Sequence, residues 1–246
     1  MERLIPRGLC YVNWDFGVPE FDGFELEFTI HSPMQRQPGM YFQLYDYPIG
    51  EIGSYCGLQT DVEKPGFGGQ GKGLLFSRWG KCSAADARRE PDGWLEVSGH
   101  EGDFVGIRRL CDWGAKQYRA RLAVVDRDHE GAWFGLSLRD LESGLETLAG
   151  CLRFPHGARI KNGGGTWIEC YSGVTMPTEF PYFHASLERA FVLRGNDRIP
   201  AIHARSTYAN YPNVTQFDVS VDQTTKRVEM RCGQGVAASR PAGELF

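Results

Sequence analysis

No stretch of this 246-residue chain stays apolar for the roughly 20 residues that a helix needs to cross a bilayer. The N-terminus, MERLIPRGLCYVNWD, lacks the continuous apolar segment of a secretory signal. Together these absences predict a soluble, cytoplasmic chain that takes no membrane partner. Neither sign of charge is in large excess: 27 basic and 31 acidic residues leave a net charge of -4, with no basic or acidic tail. That balance supplies no field for nucleic acid. The seven cysteines are odd in number and form no CxxC pair, which argues against a disulfide framework and against a cysteine zinc site. The histidines show neither HxH nor HExxH spacing, and no GxSxG nucleophile turn occurs. No cofactor and no metal is expected. Long helical patterns alternating with strands are missing, which argues against a parallel α/β fold.

What the chain does have is aromatic side chains and turns. It carries 15 Phe, 10 Tyr and 6 Trp beside 31 Gly and 13 Pro. Aromatics suit pleated, half-buried surfaces, and glycine and proline punctuate short strands. GFELEFTI (Gly23 to Ile30) alternates cleanly, with Phe24, Leu26, Phe28 and Ile30 on one side and Glu25, Glu27 and Thr29 on a wet face. About twelve such segments, separated by Pro-Gly, Asp-Gly, Asn-Gly and Ser-Gly steps, predict an all-β, antiparallel two-sheet sandwich or jelly roll. One short helix is expected within Ala185 to Leu193. The domain is expected to span residues 1–234, with 235–246 a loose tail.

Two glycine and acid motifs are read as loops. Gly66 to Gly71 matches GxGxxG, but LLFSRW after it is a strand where a phosphate cradle needs a helix N-terminus. Asp126 to Gly131 resembles the start of a calcium loop, yet the twelfth position is Ser137 and the segment reads as a hairpin turn.

The ordered segments Tyr55-Cys56-Gly57-Leu58-Gln59, Phe76-Ser77-Arg78-Trp79, Glu101-Gly102, Trp113-Gly114 and Tyr118-Arg119 resemble the DUF3472 family of uncharacterised bacterial proteins. The resemblance covers roughly Tyr41 to Tyr171. It implies a concanavalin A-like sandwich and a role connected with polysaccharides.

The expected function is therefore binding of a glycan or other small polar ligand on one concave sheet. Tyr41, Trp79, Trp113 and Trp167 would stack on sugar faces, while Asp46, Gln59, Arg78 and Glu101 would bond hydroxyls. A polysaccharide-active enzyme in the same cleft is the alternative, with Glu101 and Glu169 as the paired carboxyls and Arg78 or Arg109 stabilising charge. A cytoplasmic interaction or small-molecule module is the third reading.

Overall fold

The computed structural model describes residues 8–36, 39–99, 102–172, 179–209 and 214–246. The strands are, in chain order, β1 (Gly8–Asp15), β2 (Glu20–Phe21), β3 (Gly23–Ile30), β4 (Gly39–Asp46), β5 (Ser54–Gln59), β6 (Glu63–Lys64), β7 (Gly68–Gly69), β8 (Gly73–Trp79), β9 (Ala87–Arg89), β10 (Trp94–Gly99) and β11 (Gly102–Leu110). They continue with β12 (Gln117–Asp128), β13 (Gly131–Asp140), β14 (Glu146–Phe154), β15 (Ile160–Lys161), β16 (Gly165–Ser172), β17 (Phe183–Arg194), β18 (Asp197–Pro200), β19 (His203–Tyr208), β20 (Phe217–Val221), β21 (Val228–Cys232) and β22 (Gly243–Glu244).

Two antiparallel sheets face each other. The first runs β10-β11-β8-β5-β4-β16-β1-β19-β22, and the second runs β20-β21-β17-β3-β12-β13-β14-β9. Their inner faces meet through aromatic pairs: Phe24 on Tyr45 at 4.3 Å, Phe28 on Phe42 at 5.4 Å and Phe76 on Phe154 at 6.3 Å between ring centroids. The expected all-β sandwich is the observed fold. Among the described residues the one helical element is a 3-10 turn, Ala84–Asp86, and no helix is long and apolar enough to cross a membrane. All seven cysteines are free.

Three local expectations are corrected. Ala185 to Leu193 is part of strand β17, not a helix. The apolar positions Ala185 and Leu187 are followed by Ala190 and Val192, because a bulge between Leu187 and Arg189 inserts one residue into the pairing with β3. A period-2 pattern with one extra residue imitates helical spacing. The wet face of β3 is covered: Glu25 and Glu27 are buried beneath arginines. Arg198 Nε reaches Glu25 at 2.8 Å, and Arg119 Nη2 reaches Glu27 at 2.7 Å. Burial alone would raise the Glu27 pKa, but bonds from Arg119 and Arg198 outweigh it and hold the carboxyl below its ordinary range.

The third correction is the C-terminal segment, which is tied down. Leu245 is buried, its N–H bonds the Ala204 carbonyl at 2.8 Å, and Ser239 gives both its N–H and its hydroxyl to Asp218 at 2.7 Å. Elsewhere the loop readings agree with the structure. The GxGxxG segment supplies the turn and the second strand, β7, of the small β6–β7 hairpin and leads into strand β8. In the Asp126 to Gly131 turn, Arg88 takes Asp126 at 2.7 Å and Asp128 at 2.8 Å.

Candidate functional site: a cleft on the first sheet

A cleft of about 910 Å³ lies on the outer face of the first sheet. Register explains which side chains reach it. Across the middle of the sheet Trp167 (β16), Gln43 (β4), Gly57 (β5), Leu75 (β8), Arg108 (β11) and Trp94 (β10) are successive neighbours. The next row is Glu169, Tyr41 and Gln59. On the other side of the central row lie Asp46, Tyr55, Ser77, Gly106 and Glu96. Strict alternation from Tyr41 would turn Asp46 toward the core. A bulge between Gln43 and Tyr45 changes the parity, sends Tyr45 inward and leaves Asp46 in the cleft.

Two glycines make room. A Cβ at Gly57 would overlap the Phe42 carbonyl and the Tyr41 ring, so glycine lets Tyr41 lie flat over the neighbouring strand. A Cβ at Gly106 would strike the Arg108 guanidinium. That guanidinium is buried and fixed: Nη1 donates to Ser77 Oγ at 3.1 Å, and Nη2 donates to Glu96 Oε2 at 2.9 Å. Trp79 packs between Tyr55 at 5.8 Å and Phe104 at 5.5 Å and forms one aromatic wall.

The floor is chemically unusual. Tyr41 Oη, Gln43 Nε2 and Trp167 Nε1 are buried polar atoms with no hydrogen-bond partner among the described residues. A buried donor without a partner costs about 1–3 kcal/mol, so three in one cleft mark a surface shaped for an acceptor-bearing ligand. Burial drives the Tyr41 hydroxyl well above its ordinary pKa; Glu169 adds to the rise and Arg108 opposes it. The hydroxyl therefore stays a proton donor. Asp46 is pushed up to about 7 by burial, against the pull of the Gly165 N–H that bonds its Oδ1 at 3.0 Å.

The Asp46 shift has a consequence for stability. Between about pH 4 and pH 7 the unfolded chain releases this proton and the folded chain keeps it, so the Asp46 contribution to stability falls as pH rises and levels off above pH 7. Asp46→Asn removes that dependence and keeps an acceptor for Gly165. The stability of the variant relative to the parent is expected to climb across this window, by up to about 4 kcal/mol. Urea unfolding at pH 4, 5.5 and 7 checks it; a difference that stays flat with pH would show that Asp46 ionises normally.

Of the residues expected from sequence, Tyr41, Asp46, Gln59, Trp79, Trp167 and Glu169 line this cleft. Three stand elsewhere. Arg78 shares the inward parity of Phe76 and meets Asp86 at 3.1 Å and the Arg153 carbonyl. Arg109 faces the opposite side from Arg108 and engages Asp92 at 2.8 Å and the Leu148 carbonyl at 2.7 Å. Trp113 lies beyond the end of β11, fully buried, with its indole N–H on the Gln59 carbonyl at 3.2 Å. Glu101 lies outside the described residues. Gln43 and Arg108 were missed, although parity with Tyr41 and with Trp79 through the paired strands carried the signal for both.

No protein-family model matches the chain, and no curated protein matches it. A solved structure shares the fold. A Scytalido-glutamic peptidase in complex with a peptide-based transition-state analogue has a TM-score of 0.51 at 10% identity, over 93% of this chain and 99% of that one. SCP-B, a member of the eqolisin family of peptidases, in complex with the tripeptide Ala-Ile-His, has a TM-score of 0.46 at 10% identity over the same shares. The expectation of a glycan-binding or polysaccharide-active protein is thereby corrected. It rested on the DUF3472 resemblance and on aromatic and polar residues expected on one sheet face, whereas the solved sandwich that this chain matches along nearly all its length is that of a peptidase.

Proposed function

We propose that the chain is a hydrolase of peptide bonds that binds an extended peptide in the cleft of the first sheet. The observation that carries this reading is the set of three buried polar atoms without partners, Tyr41 Oη, Gln43 Nε2 and Trp167 Nε1, grouped round Glu169. A peptide offers what that floor lacks: a carbonyl acceptor at every residue. The wall of Tyr55, Trp79 and Phe104 offers apolar surface to its side chains. The peptidase sandwich is in keeping with this assignment.

Register places Glu169 directly beside Tyr41, with Cβ atoms about 5 Å apart, and diagonal to Gln43, about 7–8 Å away. Asp46 lies five residues further along β4 from Tyr41, about 15 Å. Of the other glutamates lining the cleft, Glu63 is exposed and Glu96 is bonded to Arg108 at 2.9 Å, so Glu169, beside the unpartnered donors, is the acid–base group at the centre. It takes a proton from water as the oxygen attacks the peptide carbonyl carbon. Gln43 and Tyr41 donate to the carbonyl oxygen as it gains negative charge. The proton then passes from Glu169 to the departing nitrogen, and the C–N bond breaks.

The test is incubation with a denatured protein mixture over a range of pH, with new N-termini identified by mass spectrometry. Time-dependent cleavage with a consistent preference on either side of the cut is the expected result. An intact mixture, together with no binding of peptides to the chain, would refute the assignment.

A further inference from the structure

On the opposite outer face, that of the second sheet, two imidazoles and a carboxylate converge. His31 follows β3, His184 lies on β17 and Glu229 on β21, each with outward parity because its strand neighbours Ile30, Phe183, Ala185, Val228 and Met230 are buried. One ligand-competent atom from each of the three lies within 4.8 Å of the other two. His184 Nε2 meets Glu229 Oε2 at 2.7 Å, and the two imidazole rings sit 4.3 Å apart at 30°. Ser186, paired opposite Glu229, donates to Glu229 Oε2 at 2.8 Å and stands 2.6 Å from His31 Nε2.

We propose that His31, His184 and Glu229 form a binding site for a zinc-class divalent transition metal. The donor set is two imidazoles and one carboxylate, with an open fourth position for water, which is an accepted composition for four-coordinate zinc. Ligand atoms round such an ion lie about 3.4 Å apart, given bonds of about 2.0–2.2 Å. His184 Nε2 and Glu229 Oε2, now 2.7 Å apart, would part to admit the ion, while the remaining separations, none above 4.8 Å, would close by rotation of the exposed His31 side chain. The ion would take the place of the hydrogen bond between His184 Nε2 and Glu229 Oε2.

The surroundings orient the carboxylate without filling the site. Arg227 Nε holds the other oxygen, Oε1, at 2.8 Å, as an outer partner of a metal-bound carboxylate does. Arg231 stands 3.8 Å from Oε2 but also engages Asp218 at 3.3 Å. Two cations beside one carboxylate disfavour ions that depend on oxygen charge, such as calcium and magnesium. Imidazole nitrogens favour zinc, copper, nickel and cobalt. Bound there, the ion would clamp the end of β3 to β17 and β21, on the face of the sandwich away from the cleft.

The experiment uses the full chain stripped of metal with a chelator. Titration with Zn²⁺ by calorimetry is expected to show one site. At a hundredfold excess over the dissociation constant the unfolding midpoint should rise by about 5–10 °C. His31→Ala, at an exposed position, should weaken binding by at least about tenfold and lose the thermal shift. His184→Ala is the second variant, and circular dichroism establishes that each is folded. Seven free thiols could also hold zinc, so Co²⁺ is substituted: the expected spectrum has cobalt d–d bands and no thiolate charge-transfer band. A charge-transfer band, binding equal in both histidine variants and the parent, or no saturable site would overturn the proposal.

Discussion

Phe28→Ala is expected to cost about 3–5 kcal/mol, the range for removing a fully buried phenylalanine. Phe28 has no exposed surface and belongs to both halves of the sandwich. It meets Phe42 of the first sheet at 5.4 Å and Tyr118 of its own sheet at 5.6 Å. Deleting the ring removes the apolar transfer energy and leaves a cavity that neither sheet can close, because β3 is hydrogen-bonded on both sides, to β12 and to β17. For a chain of this size each kcal/mol lowers the melting temperature by about 2–4 °C, so a fall on the order of 10 °C is expected by calorimetry. Phe28→Leu, which keeps most of the volume, should recover more than half of it. A loss below about 1 kcal/mol in Phe28→Ala would mean that the two sheets do not share one core at this point.

The same alternation that identifies Phe28 as core made most of the strands legible from sequence. Gly23 to Ile30 was readable to the residue, because its apolar positions are strictly every second one. Legibility fails where a bulge intervenes. In β17 the bulge near Glu188 turns an alternating strand into something with helical spacing. In β4 the bulge before Tyr45 is what lets Tyr41 and Asp46 share a face, and nothing in the local sequence announces it.

The site was half legible for a related reason. Residue type draws attention to tryptophans, arginines and glutamates, but parity decides which of two neighbours reaches the cleft. Arg78 and Trp79 cannot both do so in a regular strand, and Trp79 is the one that does. Of Arg108 and Arg109, the cleft takes Arg108, because Gly106 two residues away leaves space for its guanidinium. Trp113 lies past its strand, where parity says nothing, and its burial depends on a carbonyl 54 residues earlier, that of Gln59. The tail escaped notice because its polar composition conceals two anchors, Leu245 and the Ser239–Asp218 bonds.

Glu169→Gln is expected to lower the rate of peptide hydrolysis by about 10²–10⁴ while leaving the fold and peptide binding near normal. Glutamine keeps the shape of the side chain and can still accept a hydrogen bond from water, but it cannot take the proton. The loss should therefore fall on kcat rather than KM, since an interaction confined to the transition state changes the rate and not ground-state binding. Gln43→Ala provides the contrast. It removes one donor to the developing oxyanion and should cost about 10²–10³ in kcat. It also deletes an unpartnered buried amide nitrogen, so its unfolding free energy should hold up better than that of a core truncation. Gln59 is next to Tyr41 and one strand further from Glu169 than Gln43's diagonal position, so Gln59→Ala should have the smaller effect on kcat. Measured on one cleaved peptide, the order Glu169, Gln43, Gln59 is the signature of a single acid–base carboxylate with its donors on β4. Full activity in Glu169→Gln would place the chemistry on another group, and Asp46, the carboxyl at the far end of β4 that burial pushes up to about 7, is the first to test.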